Sequence, residues 1–172
     1  HGTLTMGEEV IALPPGTFGT YDRTMGHQRG LQGWNWIAFV SHAVRERDGK
    51  RCPIGIQIVR DILGRAKPAV LSRKYVVWID GQVRKLPDAE FHYDRTDGSA
   101  DDWHIHTQDT DEDWINLVFD PRFERRDEQH AALVEADFKQ FYGPVTGTIC
   151  LDGERWHIEE AFAVTEDSLL EL

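Results

Sequence analysis

Four Asp-Gly pairs, Asp48-Gly49, Asp80-Gly81, Asp97-Gly98 and Asp152-Gly153, punctuate the chain, each lying between runs of alternating residues. Asp-Gly is favoured in tight hairpins because both central residues take positive φ, which Gly adopts freely and Asp tolerates. Four such pairs at irregular spacing predict an antiparallel meander without crossover helices. The intervening runs 34–45, 54–59, 75–79, 90–94, 103–108, 114–119, 145–151 and 155–164 are rich in β-branched and aromatic residues, as strands require. Segments 10–13 and 17–24 add two more. Residues 130–141 fit a helix through Ala131, Ala132, Leu133 and Ala136, and a strand through the Val134, Ala136, Phe138 alternation. With strands on both sides, the strand is the better reading. About ten short antiparallel strands over 1–172 are expected to close into one β-barrel, which removes the exposed edges of an open sheet.

Several strands read as apolar on both faces. In 34–44, Trp34, Trp36, Ala38, Val40 and Val44 share one face, and Ile37, Phe39 and Ala43 share the other. A strand buried on one side only alternates more cleanly. A strand apolar on both faces is expected to line a cavity with one face and pack on a second domain or subunit with the other, the alternative being a thick local core.

The 172 residues suffice for one domain with a core of its own. The net charge of −11 excludes an electrostatic footprint for nucleic acid. No run approaches the ~18 apolar residues of a membrane helix, and no segment resembles a signal peptide. Cys52 and Cys150, the only cysteines, read as reduced thiols of a cytoplasmic protein, with one bridge as the alternative. The chain begins at His1, which suggests a tag remnant, a processed start or a piece of a longer protein.

The densest chemistry lies between Gly16 and Phe39, where Tyr21, Asp22, Arg23, His27, Arg29, Trp34, Asn35 and Trp36 crowd a turn that feeds a strand. Asp22 is either a desolvated acid facing a lumen or a carboxylate tied to backbone amides, Arg23 or Arg29. Glu160 shares an expected face with Trp156, Ile158 and Phe162. It is either paired with Arg23, Arg29 or Arg60, or a general acid or acceptor for a ligand hydroxyl. His104 and His106 stand side by side on one strand face, but zinc needs three or four ligands and spacing marks no third. The acidic run at 109–113 lacks the glycine and distal glutamate of a calcium loop. Arg60, Arg65, Lys67, Arg73 and Lys74 either receive a ligand's carboxylate or phosphate or form a solvated hairpin end. No nucleophile elbow, phosphate loop or dinucleotide fingerprint occurs.

Asp22-Arg23-Thr24-Met25-Gly26 followed by Trp34-Asn35-Trp36 resembles the hallmark of the lipocalin-like (calycin) group. That group contains carotenoid 1,2-hydratase (hydroxyneurosporene synthase), the AttH-like proteins and a related bacterial domain family of unknown function. Further echoes are the stretch from Tyr75 to Gly81, the stretch from Phe138 to Gly147, and Ala163-Val164-Thr165-Glu166. The chain looks like the second of two consecutive lipocalin-like domains, so the resemblance implies a missing first domain or a homodimer that completes the site. It also implies a cavity for an apolar, unsaturated molecule, and a cofactor-free reaction in which a carboxylic acid protonates an alkene. Asp22 is the position carried over as that acid. The hydratase's Tyr-x-Asp pair stands here as Thr20-x-Asp22, with Tyr21 adjacent.

The expectation is therefore an all-β, lipocalin-like β-barrel of about ten strands. It binds a terpenoid, polyene or lipid-like molecule and acts on it as a hydratase or other lyase, isomerase or cyclase. Asp22 or Glu160 serves as acid and Tyr21 and His27 as hydrogen-bond partners. Trp34, Asn35, Trp36, Arg23, Arg29, Arg60, His104 and His106 contact the ligand, and no metal or cofactor is called for. The alternatives are a carrier without catalysis, and a scaffold whose lumen is filled by its own six Trp and eight Phe.

Overall fold

The computed structural model describes residues 2–20, 30–63, 75–97, 101–107, 112–131 and 134–171, leaving out the side chains at 129–131, 134, 135 and 160. All regular structure among them is β. The strands are β1 (Gly2–Met6), β2 (Glu9–Leu13), β3 (Gln32–Arg45), β4 (Arg51–Asp61), β5 (Tyr75–Ile79), β6 (Gln82–Lys85), β7 (Ala89–His92), β8 (Trp103–Thr107), β9 (Trp114–Phe119), β10 (Phe123–Ala131), β11 (Val134–Leu151) and β12 (Glu154–Glu171). β1 and β2 form a separate hairpin, and the other ten strands form one antiparallel sheet in the order β6-β5-β4-β3-β12-β11-β9-β8-β7, with β10 beside β11.

Two of the four Asp-Gly pairs take the positive φ that their chemistry favours. Asp80 and Gly81 take φ of 49° and 76°, and Asp152 and Gly153 take 52° and 76°. Each pair closes a two-residue hairpin, β5 to β6 and β11 to β12. Asp48-Gly49 sits in a longer β3–β4 connection, where Asp48 accepts two hydrogen bonds from the Arg45 guanidinium, at 2.9 and 2.7 Å. Gly98 of the fourth pair lies outside the described residues. Residues 130–141 are strand where described, as the alternation indicated. The expected strand at 17–24 is not formed over its described part, because 17–20 runs as irregular chain across the sheet. There Phe18 meets the His42 ring edge-on at 4.9 Å.

The sheet curls until residues from β3, β4 and β5 share one apolar core with residues from β7, β8, β9, β11 and β12. Ladder pairing ends at β6 and β7, which are consecutive in the chain. At the centre Trp103 is fully buried, with Tyr93 stacked on it at 3.8 Å and Phe141, Phe119 and Phe91 at centroid distances of 5.2, 6.0 and 6.5 Å. Rings packed at such offset and edge-on distances gain contact beyond their buried area. Among the described residues, the centre of the core is thus a cluster of the chain's own aromatics.

Two glycines permit a hand-over along β11. Its first half pairs with β10 and its second with β9, both along the edge opposite β12, so residues 120–122 between β9 and β10 bulge against residues 143–144 of β11. A Cβ on Gly143 would stand 1.9 Å from the Asp120 carbonyl oxygen, and one on Gly147 would stand 2.2 Å from that of Asn116. The space is used by two backbone hydrogen bonds, Asp120 N–H to the Pro144 carbonyl and Arg122 N–H to that of Tyr142, each 2.9 Å.

Cys52 and Cys150 are both buried and both free, so the two thiols remain unbridged. No helix of the described residues is long and apolar enough to cross a membrane. The outer sheet face keeps apolar groups in view, with Phe123 67% and Phe162 60% exposed beside Trp78 and Val83.

Candidate functional site

Alternation on β3 sends Asn35 to the core face, one pleat beyond Ile37, and alternation on β12 sends Asp167 there beyond Thr165. Both are polar residues where the pattern calls for apolar ones, and both are buried, Asp167 being 8% exposed. Asn35 Nδ2 donates to Tyr93 Oη at 2.7 Å and to Asp167 Oδ1 at 3.4 Å. Arg95 reaches the same oxygen at 2.8 Å. Burial of the Tyr93 ring, with the Asp167 charge beside it, pushes its phenol well above the ordinary tyrosine range. The carboxylate holds Arg95 firmly charged. Arg60 is the register partner of Asn35 across β3 and β4, and its charge reaches Tyr75, whose phenol burial also raises. One end of the core thus gathers an amide, a carboxylate, two phenols and two guanidiniums.

Thr165, fully buried on the same face of β12, has a hydroxyl with no hydrogen-bond partner among the described residues. A buried hydroxyl without a partner costs about 1–3 kcal/mol. Ile37, Ile58 and Phe141, almost wholly enclosed, form the apolar floor beneath this polar end.

Trp34 and Trp36 stand on the opposite face of β3 from Asn35, so Trp34-Asn35-Trp36 serves two sides of the sheet. Trp34 Nε1 donates to Glu166 Oε2 at 2.8 Å, and Gln140 Nε2 donates to Glu166 Oε1 at 2.8 Å. Tyr142 Oη in turn donates to Gln140 Oε1. Three of the sequence echoes therefore interlock across β3, β12 and β11 as one hydrogen-bonded chain. Trp36 instead borders a shallow outer groove of about 230 Å³ with Thr20, Val40, Gly55, Gln57 and Trp78. Its indole N–H is buried without an acceptor among the described residues.

His104 and His106 project from the outer face of β8, because Trp103, Ile105 and Thr107 fill the core face. Register places Glu90 opposite His106 and His92 opposite His104. Asp22, Tyr21, His27, Arg23 and Arg29 lie outside the described residues. Glu160 lies on β12, but its side chain is likewise outside them. The face expected for it is broken by a register shift between Ile158 and Ala163, after which Ala161 is buried and Phe162 exposed.

Of the predicted ligand contacts, then, Asn35 and Arg60 come together at the polar end, and Trp34, Trp36, His104 and His106 lie on the outer face. Tyr93, Arg95 and Asp167 were not singled out. The available signal was Asn35 and Asp167 at core-facing positions of otherwise apolar alternations.

No curated protein and no solved structure matches the chain. The family described as "Domain of unknown function (DUF2804)" matches residues 1–170. With that match covering nearly the whole sequence, the chain belongs to the DUF2804 family.

Proposed function

We propose that this chain is a lipocalin-like β-barrel domain that binds an apolar, unsaturated small molecule of terpenoid, polyene or lipid type. The ligand's polar terminus is held at the end of the core by Asn35, Arg60, Tyr93, Arg95 and Asp167. The observation that supports this reading is the convergence of those groups over an apolar floor, with the Thr165 hydroxyl unpartnered among the described residues. Burying a carboxylate to this degree is costly and seldom the most stable way to close a core, so a recognition role explains it better than stability does. The order of motifs supports the likeness to the carotenoid 1,2-hydratase group. On that reading the bound molecule undergoes cofactor-free hydration, elimination, isomerisation or cyclisation, with Asp22 or Glu160 as acid. Free thiols at Cys52 and Cys150 fit a cytoplasmic setting, and the exposed Trp78, Val83, Phe123 and Phe162 suit a homodimer contact or a first lipocalin-like domain.

A second reading has its own support. The Trp103 cluster packs at the centre of the core, which supports a scaffold with no ligand at all.

One experiment separates these readings. The protein is incubated with a polyene-rich lipid extract, re-isolated, and its retained material analysed by mass spectrometry. The wild type is expected to retain a molecule altered in mass or double-bond position. Asp22→Asn is expected to retain it unaltered, and an N35A/D167N variant to retain none. Unaltered ligand on the wild type reduces the domain to a carrier, and no retained ligand leaves the scaffold.

A further inference from the structure

The outer face of β7 and β8 carries a cluster unrelated to the polar end of the core. Glu90 and His92 share one face of β7 at two-residue spacing, and His104 and His106 share the same face of β8. Antiparallel register sets Glu90 against His106 and His92 against His104. The His92 and His106 rings lie parallel, 4.8 Å apart with 5° between their planes. His92 Nε2 is 3.2 Å from Glu90 Oε2. One ligand-capable atom from each of Glu90, His92 and His106 falls within 4.8 Å of the others.

We propose that Glu90, His92 and His106 bind a divalent transition ion of the zinc class. Two imidazoles and one carboxylate are the donor set of open three-ligand zinc sites, with bonds of about 2.0–2.2 Å. Imidazole nitrogen selects zinc, copper, nickel or cobalt over calcium and magnesium, which want oxygen alone. His106 Nδ1 lies 3.2 Å from the Thr107 carbonyl oxygen, a contact in which Nδ1–H would donate and leave the Nε2 lone pair for a metal. Histidine ligands of metals are oriented by such a backbone acceptor. The side chains need to close by about 1 Å to reach tetrahedral spacing. Their partial exposure, 56% for His92 and 40% for Glu90, leaves them room to do so. His104, across from His92, sits one pleat outside the trio.

The test titrates metal-free, chelator-dialysed protein with Co(II), reading the visible d–d bands of a tetrahedral site, and with Zn(II) by calorimetry. One ion per chain is expected. His106→Ala and His92→Ala are each expected to lower affinity at least tenfold, since even an outer partner of a metal ligand is worth about 10–100-fold. Glu90→Gln should weaken binding, and His157→Ala, on the same outer face but outside the trio, should leave it unchanged. Absence of saturable uptake would overturn the proposal. So would uptake that survives the H92A/H106A double variant, including uptake lost only when His1 is removed. Because these groups lie at the surface, unchanged melting of the metal-free variants confirms that lost binding is not lost folding.

Discussion

Asp167 shows why single residues at the polar end matter more than their number suggests. Its carboxylate is almost enclosed, yet it accepts from both Asn35 and Arg95 and polarises the environment of Tyr93. The phenol of Tyr93 is held neutral in the fold above the pH at which it ionises in the unfolded chain, about 10. Between those two values the native state keeps a proton that the unfolded state has lost, so stability is full below pH ~10 and falls as pH rises above it. Urea midpoints measured from pH 8 to 11 should therefore decline on the alkaline side, and Tyr93→Phe should flatten that decline. An unchanged slope in the variant would show that Tyr93 is not buried against Asp167. Asn35 was legible in the sequence because it interrupts an apolar strand, but its partners were not. Tyr93, Arg95 and Asp167 come from segments 58 to 132 residues away, and only register brings them together.

Among the elements, β11 is the most demanding, since it serves β12 throughout, β10 with one half and β9 with the other. The bulge between β9 and β10 fits along that edge because Gly143 leaves room for the Asp120 carbonyl. Gly143→Ala should cost at least about 2 kcal/mol, at the upper part of the range for overpacking, because the obstacle is backbone. Gly2→Ala, with open space around its Cβ position, should stay within about 0.5 kcal/mol. Denaturant melts of the two variants check this, and equal stabilities would contradict the close approach of the Asp120 carbonyl to Gly143. The two-residue hairpins announced by Asp80-Gly81 and Asp152-Gly153 are present because the turn chemistry is local. β10 was missed for the opposite reason. Its described side chains are exposed and its Glu, Arg and Asp residues do not alternate with apolar ones, since it pairs only with β11 and covers no core. The expected strand at 17–24 failed over 17–20 because alternation alone cannot say whether a neighbour is free to pair with it.

For the whole molecule, the sequence made the all-β class and the two-faced character of β3 legible, and left the filling of the centre open. Whether a curled sheet encloses a void depends on where Trp103, Phe119 and Phe141 point, and a one-residue change of register reverses that. In the structure all three point inward and meet. The proposed ligand is therefore assigned to the polar end, beside the packed rings. The most direct test is a heteronuclear NMR titration of the labelled protein with a long-chain polyene acid, following backbone amides and the indole N–H signals. The largest shifts are expected at Asn35, Arg60, Tyr93, Arg95 and Asp167, while the indole signal of Trp78 in the outer groove holds still. Shifts centred on Trp103, shifts centred on Trp36 and Trp78, or no shifts at saturating ligand would each contradict it.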